Sequence, residues 1–194
     1  MPRQKNSFHF PLTATSTILT SGKSDHSLRR LLYDFFTVSA RMDTVKRYLG
    51  ERLGITAPQY TIMMAVSELQ GQNGVSVGRV GDYLHVTGPF VTMESGKLLK
   101  KGFLERHTDA HDRRVTLLSL APAGAGALQS LFPELQQIND VFFELGSRGE
   151  FERLCKTLQR LVGNSQRALA LINASRDDAR LRLNRGGAAV SRVR

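Results

Sequence analysis

The feature that most constrains the fold of this chain is a pair of short predicted helices joined by a turn. Apolar residues spaced three and four apart predict one helix over 76–84 and another over 89–101, on either side of a turn at 85–88. Ser76 and Thr87 can cap the two helices, because a side-chain oxygen accepts the unpaired N–H groups of a first helical turn. This segment is therefore predicted to form a helix-turn-helix.

A predicted β-hairpin follows the second helix directly. Gly102 comes after two lysines, which is typical of a helix C-terminus. Beyond it, 103–107 and 115–120 alternate between apolar and polar residues, as strands do, around the polar loop 108–114. A helix pair followed by a charged hairpin is typical of a winged helix-turn-helix. Such a unit can place one helix in the major groove of DNA and the hairpin tip beside the backbone.

Long amphipathic helices are predicted on both sides of this unit. Apolar residues recur at helical spacing over 26–50, 123–145 and 149–174, and a further helix is predicted over 57–69. The expected fold class is mainly α with a small β-wing, a winged helix-turn-helix plus long dimerisation helices. The predicted organisation is a flexible N-terminal arm (1–25), a helical dimerisation region (26–56 and 122–175), a winged helix-turn-helix (57–121) and a basic, disordered tail (176–194).

The apolar stripes of the terminal helices predict a homodimer. Within one chain, neither end helix has a second layer of its own that is large enough to cover its stripe. Burial of apolar area contributes about 25 cal/mol per Å², so packing against a twin subunit would supply the missing stabilisation.

The composition narrows the class of partner. The chain has 194 residues, a formal net charge of +10 and a single cysteine, Cys155. One cysteine excludes an intrachain disulfide and fits a reducing cytoplasm. No run of about 18 apolar residues occurs, so we expect no membrane partner. The basic excess is concentrated in 176–194, with six arginines against two aspartates, and is consistent with a polyanionic partner.

Three motifs occur in an order and at a spacing that resemble a known family. They are Gly54-Ile55-Thr56-Ala57-Pro58-Gln59-Tyr60, Lys101-Gly102-Phe103-Leu104-Glu105-Arg106 and Asp112-Arg113-Arg114. On these motifs the chain resembles the MarR (multiple antibiotic resistance regulator) family of transcription factors, over residues 28–172. Two positions depart from the family pattern. Ala121 stands where a threonine helix cap is usual, and the basic residues of the second helix come after Met93 rather than near it.

The resemblance implies which residues contact DNA. The arginine of the wing enters the minor groove, whose negative potential is enhanced where the groove is narrow, and the aspartate supports the wing loop. Small and apolar residues at the start of the second helix suit the reading of methyl groups and shape, and basic residues suit phosphate contacts. The predicted DNA-binding residues are Ser76, Arg79, Thr87, Gly88, Pro89, Phe90, Thr92, Lys97, Lys100, Asp112, Arg113 and Arg114.

The resemblance also implies an effector site between the first helix and the winged unit. Ser39, Asp43 and Lys46 lie close to the apolar stripe of the first helix. They form either a polar flank or a salt bridge between subunits, or else the polar anchors of a pocket. A small anionic or aromatic effector needs an apolar cleft with few such anchors. The predicted ligand-binding residues are Tyr33, Phe36, Ser39, Arg41, Tyr60, Met64 and His85.

The residues predict DNA binding rather than catalysis. His107 and His111 are four apart, but in a strand and a loop, where that spacing does not form a metal-binding face. No catalytic constellation occurs, so we expect no enzyme activity, no metal and no cofactor. We expect a cytoplasmic, sequence-specific repressor that binds a pseudo-palindromic operator in double-stranded DNA. A small aromatic acid or aryl-CoA-type effector would release it. The alternative is a constitutive or architectural DNA-binding protein without an effector.

Overall fold

The computed structural model describes residues 10–109, 112 and 114–190, with side chains described as far as residue 177. The described chain is mainly helical with one small sheet, which confirms the predicted fold class. In chain order its elements are α1 (His26–Arg52), α2 (Ala57–Leu69), β1 (Val75–Ser76), α3 (Val77–Leu84), α4 (Gly88–Lys100), β2 (Leu104–Thr108), β3 (Thr116–Leu120), α5 (Pro122–Phe142) and α6 (Arg148–Val190).

The sheet is antiparallel, and β3 lies between β1 and β2. In the hairpin, Leu104 of β2 faces Leu120 of β3, and Thr108 faces Thr116. The third strand, β1, was missed by the sequence analysis, because two residues are too few to show an alternating pattern. Leu118 is the fully buried residue of β3 and lies opposite Val75 of β1. The short β1 therefore converts the predicted hairpin into a three-stranded sheet.

The local sequence explains where the helices of this region begin and end. Thr56 caps α2 and accepts the N–H of Gln59, whose side chain accepts the Thr56 N–H in return, which is a capping box. Ser76 and Thr87 cap α3 and α4 as predicted. Gly102 follows α4 with φ of +74°, a left-handed conformation that favours glycine and ends the helix.

Contacts within the chain divide it into two units, residues 1–137 and 138–194. The first unit holds a continuous apolar core drawn from α1, α2, α3, α4, the sheet and α5. Its most deeply buried large side chains are Leu49, Ile62, Met63, Val66, Val75, Val80, Val91, Leu98, Leu118 and Leu128.

Two contacts attach the start of α5 and the end of α1 to this core. A side chain at Gly124 would have its Cβ 2.0 Å from the backbone oxygen of Phe103, so only glycine permits this close approach. On α1, Tyr48 and Arg52 both donate hydrogen bonds to the Glu134 carboxylate of α5, the Arg52 Nε bond being 3.1 Å long. The bond from Tyr48 is the main reason that the pKa of Glu134 is lowered.

The second unit contains the end of α5 and the long helix α6. Its helix begins where predicted, with Ser147 accepting the N–H of Glu150 at 3.2 Å. A basic, disordered tail was predicted from residue 176, whereas the backbone of α6 is helical as far as Val190. The prediction relied on charge and on the loss of the apolar stripe. However, Ala, Arg and Leu, which are frequent in this stretch, are among the best helix formers.

The described part of the predicted flexible arm, residues 10–25, is anchored to the start of α1. Asp25 is only 1% exposed, and its carboxylate accepts hydrogen bonds from the Thr13 backbone N–H at 2.7 Å and the Thr13 hydroxyl at 2.6 Å. Arg29 pairs with the same carboxylate and lies over the ring of Phe10. The composition predicted a flexible arm, and these non-local bonds anchor its described part to the start of α1. Residues 1–9 lie outside the described residues.

Candidate nucleic-acid interface and the adjacent cleft

The helix α4 has one buried face and one exposed face. The buried face consists of Val91, Glu94, Ser95 and Leu98. The exposed residues recur at the complementary helical positions and are Pro89, Thr92, Met93, Lys97 and Lys100. A helix supported in this way can lie in the major groove with its core-facing side still packed.

The beginning of α4 departs from the prediction at one residue. Thr87, Pro89 and Thr92 are exposed as expected, and Gly88 is half-buried. Phe90 was predicted to lie on the exposed reading surface, but it is half-buried and lines a cleft on another side of α4. The reason is helical geometry, because Phe90 is next to the buried Val91 and points about 100° away from it rather than outward with Pro89.

On α3 the predicted residues have separate roles. The Ser76 hydroxyl accepts the backbone N–H of Arg79 at 3.2 Å and is therefore used in capping. The side chain of Arg79 is exposed. Arg79 is thus available to a phosphate, whereas the position of Ser76 at a helix N-terminus makes backbone N–H groups available to an anion.

The wing is held by two aspartates. Asp109 accepts the N–H of Asp112 at 3.0 Å, and Asp112 accepts the N–H of Arg114 at 2.9 Å. The N–H of Val115 then bonds to the Asp112 carbonyl oxygen at 2.9 Å, which closes the turn into β3. Arg114 is exposed at the end of this turn. Arg113, also a predicted DNA-binding residue, lies outside the described residues.

A buried carboxylate lies behind the exposed face of α4. Glu94 is 5% exposed and accepts hydrogen bonds from the Gln59 Nε2 of α2 at 3.0 Å and from the Lys97 Nζ at 2.7 Å. The bond from Lys97 is the main cause that lowers the pKa of Glu94. The sequence analysis missed this residue, because a glutamate in a helix is usually exposed. The only available signal was its place between the buried positions Val91 and Leu98.

The cleft lies between α1, α2 and the helix-turn-helix, in the region where an effector site was predicted. Its volume is about 280 Å³. The Lys46 ammonium and the Asp43 carboxylate form an ion pair of 2.6 Å at the cleft, and this bond lowers the pKa of Asp43. The lining residues are Asp43, Lys46, Ala57, Pro58, Thr61, Ile62, Leu84, Val86 and Phe90.

The predicted ligand-binding residues do not line this cleft. Tyr33 and Phe36 are exposed on α1, where their rings meet edge to face with centroids 6.5 Å apart. Ser39 and Arg41 are exposed on the same helix. The other three predicted residues lie elsewhere. Tyr60 is buried in the core, Met64 is half-buried on α2, and His85 is exposed with φ of +54° at the C-cap of α3.

Sequence reasoning therefore identified the polar pair of the cleft but not its apolar wall. Asp43 and Lys46 stood out by their phase on α1. Leu84 and Val86, on either side of His85, form part of the wall, but sequence alone did not show which neighbour of the turn pointed inward.

Two further properties of the described chain bear on the class of protein. None of its helices combines the length and the apolar character needed to cross a bilayer. Across the same residues, no three or more His, Cys, Asp or Glu side chains are grouped as metal ligands would be.

Comparison with known proteins agrees with this geometry. Residues 53–115 match the family model described as MarR family. No curated protein sequence matches the chain. Among solved structures, the fold is similar to that of the transcriptional regulator SlyA, with a TM-score of 0.60 and 20% identity over 69% of this chain and 92% of that one.

Two further structures share the fold. One is a complex of Staphylococcus aureus MepR with DNA, with a TM-score of 0.58 and 21% identity over 68% of this chain and 96% of that one. The other is a MarR protein from Peptoclostridium difficile, with a TM-score of 0.61 and 18% identity over 82% of this chain and 94% of that one. The matched segment spans α2, the helix-turn-helix and β2, and it ends just before β3. Residues 53–115 therefore resemble the MarR family, and the chain shares the fold of these solved MarR-type structures.

Proposed function

We propose that this protein is a homodimeric repressor that binds a pseudo-palindromic operator in double-stranded DNA and is released by a small aromatic acid. The observation that carries the proposal is the exposed face of α4, which adjoins a wing whose Arg114 backbone is held by Asp112. In a winged helix-turn-helix, such a face enters the major groove and such a wing reaches the neighbouring minor groove.

The exposed face of α4 carries little hydrogen-bonding capacity for guanine. Thr92 and Met93 are its central exposed side chains, and Gly96 has open space around it. A methyl group or a thioether contacts the thymine methyl group, whereas guanine is recognised best by a bidentate arginine or lysine. We therefore expect an operator rich in A·T pairs, recognised in part by its shape.

Arg114 provides the sharpest test of the interface. Replacing Arg114 with Ala should weaken operator binding by about 1–3 kcal/mol, because a minor-groove arginine is lost. The measurement is fluorescence anisotropy with operator and random duplexes at several salt concentrations. Arg148→Ala is the matched control, since Arg148 is an exposed arginine on α6 that pairs with Glu152. Equal binding by the Arg114→Ala variant and the parent protein would contradict the role of the wing.

A homodimer would bring two such units to successive half-sites. The apolar residues exposed on α1 and α6 support this part of the proposal, because a soluble chain seldom leaves so many uncovered. A twofold axis in the protein would then correspond to the twofold symmetry of the operator, with half-sites about one helical turn apart.

The cleft beside Asp43 and Lys46 is the proposed effector site. Its volume of about 280 Å³ lies near the lower limit of typical ligand pockets, about 300 Å³, which favours an aromatic acid over an aryl-CoA thioester. Lys46 could exchange its bond with Asp43 for a bond with the ligand carboxylate. Because Phe90 forms part of the wall, a bound ring would contact α4 directly. Release from DNA requires the ligand to bind the DNA-free arrangement more tightly.

Calorimetric titration with a panel of small aromatic acids tests this site. Phe90→Ala and Lys46→Met should abolish binding of any acid that binds the parent protein. Ser39→Ala and Phe36→Ala, which alter the pocket predicted from sequence but not the cleft, serve as controls. The reverse result would move the effector site to the exposed face of α1.

A second candidate function is constitutive DNA binding without an effector. It is supported by the ion pair at the cleft, whose two polar groups already satisfy each other. A thermal-shift screen against aromatic acids and their CoA thioesters separates the two functions. A shift accompanied by loss of operator binding supports the repressor, and the absence of any shift supports constitutive binding.

A further inference from the structure

The basic residues at the end of α4 differ in what their ammonium groups contact. Lys97 donates to the Glu94 carboxylate at 2.7 Å, and Lys101 donates to the Gly54 carbonyl oxygen at 2.6 Å. Lys100 is exposed and has no hydrogen bond or ion pair with any residue that the structure describes. Of these three cations, only Lys100 is therefore available without first breaking a contact within the protein.

The contact between Lys97 and Glu94 is costly to break, because the two partners are exposed to very different extents. The Glu94 side chain is 7% exposed and that of Lys97 is 51% exposed. If Lys97 moved to a phosphate, it would leave a buried carboxylate with a single neutral donor. Leaving a buried carboxylate without its charged partner costs much free energy. A lysine that contacts an exposed phosphate only displaces counterions that are already mobile around the DNA.

The same carboxylate connects two helices. Gln59 donates its Nε2 to Glu94, while its Oε1 accepts the N–H of Thr56 in the capping box of α2. Both the nitrogen and the oxygen of the Gln59 amide are therefore hydrogen-bonded. Through this amide, α4 is fixed to the N-terminus of α2 at a buried position. In sequence, Gln59 is next to Pro58, and Glu94 is four residues after Phe90. Both Pro58 and Phe90 line the cleft.

We propose that Glu94 is a positioning residue for DNA binding, which fixes α4 on α2 through Gln59 and withholds Lys97 from the phosphate backbone. The inference rests on the proposed role of α4 as the helix that contacts DNA. It means that α4 binds with fewer phosphate contacts than its lysines suggest, so that more of its affinity comes from shape and apolar contact.

The salt dependence of DNA binding tests the withheld charge. Each phosphate contact contributes about 0.9 to the slope of log K against log salt concentration, so Lys100→Gln should reduce the slope by about that amount. Lys97→Gln should leave the slope unchanged. Glu94→Gln should steepen the slope by about 0.9, because Lys97 is then released. The double variant Glu94→Gln with Lys97→Gln should return to the original slope.

A second pair of variants tests the positioning role. Glu94→Gln keeps an amide oxygen that can accept from Gln59, whereas Glu94→Leu fills the site but removes the connection to α2. We expect the preference for operator over random DNA to fall several-fold in Glu94→Leu and to be retained in Glu94→Gln. Thermal unfolding of each variant shows that it folds. If Glu94→Leu does not fold, the series with Glu94→Gln and Lys97→Gln still decides the proposal.

The possible failures are distinguishable. If Lys97→Gln reduces the slope as much as Lys100→Gln does, Lys97 contacts phosphate. The inference is then wrong while the proposed DNA-binding role of α4 stands. If Glu94→Gln leaves the slope unchanged, Glu94 does not withhold the charge and the inference is likewise overturned. If none of the variants changes the slope or the preference, α4 does not face DNA, and the proposed function and the inference fall together.

Discussion

The winged helix-turn-helix and the exposed stretches of α1 and α6 use similar apolar residues in opposite ways. In the winged unit, Val80, Val91 and Leu98 are 0% exposed, because α2, α3, α4 and the sheet cover one another. On α1, Leu31 is 49% exposed and Phe36 is 66% exposed. The helix α6, described on its own, exposes Leu169, Leu171 and Ile172 to a similar extent.

This difference indicates which part of the chain is complete by itself. Within one polypeptide, the winged unit buries an apolar core and caps its helices. The terminal helices bury too little of their apolar area for the hydrophobic effect to stabilise them fully, so their packing requires a further surface. A second copy of the chain would supply it, and each of the following experiments breaks or sharpens this comparison.

The largest expected difference is between core and exposed leucines. Leu98→Ala should lower the free energy of unfolding by about 2–5 kcal/mol, because it leaves a cavity in the core of the winged unit. Leu31→Ala should cost less than about 0.5 kcal/mol in dilute protein, where no partner covers it, and more as the protein concentration rises. Urea unfolding at two concentrations measures both. Equal costs at low concentration would show that α1 is covered within one chain.

The next test removes the apolar character of α6. Leu158→Glu combined with Leu161→Glu should give monomers and weaken operator binding by about 100-fold, because two linked half-sites bind far more tightly than one. Light scattering and anisotropy measure the two effects together. Arg160→Glu, on the same helix, changes charge without removing an apolar side chain and should stay dimeric. A monomeric variant with unchanged operator affinity would exclude the dimer as the DNA-binding species.

A smaller difference is expected between two threonines. Thr56→Ala should destabilise the winged unit by about 1 kcal/mol, because it removes the capping box of α2. Thr44→Ala removes a hydroxyl whose one bond among the described residues is to the Ala40 carbonyl oxygen on the exposed face of α1, and should change stability by less than about 0.5 kcal/mol. Thermal unfolding of the two variants makes the comparison. A larger effect for Thr44 would mean that its face is buried in solution.

The smallest effect concerns the acid sensitivity of the anchored arm. Hydrogen bonds from Thr13 lower the pKa of Asp25 in the folded chain below its ordinary value of 3.8. Its contribution to stability is therefore complete above pH 3.8 and is lost as the pH falls through the lower folded value. Asp25→Asn should lower the unfolding midpoint at neutral pH, where the charged carboxylate contributes in full, and the two curves should converge as the pH falls through the folded pKa of Asp25. Unfolding midpoints measured from neutral pH into acid, for the variant and the parent protein, test this. Parallel curves would show that Asp25 is not anchored in solution.

Much of the winged unit could be predicted from its sequence, because its signals are local. The caps at Ser76 and Thr87, the glycine after α4 and the period of the two strands each act within a few residues. The start of α6 followed from the same reasoning. The extent of α6 did not, because the sequence analysis gave the absence of an apolar stripe more weight than helix propensity.

The site was predicted less completely than the fold. The wing motif indicated Asp112 and Arg114, and the phase of Asp43 and Lys46 indicated where a pocket could lie. Phe90 was predicted to lie on the exposed reading surface, but it is half-buried and lines the cleft, since residues one position apart on a helix point in directions about 100° apart. Whether Phe90 faces DNA or a cleft depends on which other helices pack against the buried face of α4, and a local sequence pattern does not show this.

The sequence by itself determined the order of the elements, their caps and the wing motif, because periodicity and capping depend on residues close together in the chain. Only the tertiary structure decided the third strand of the sheet, the anchoring of the arm on Asp25 and the burial of Glu94 against Gln59. The bonds that hold the arm and Glu94 join residues 12 and 35 positions apart. Their energies depend on burial and on the partner that folding brings near, and neither is encoded in a local pattern.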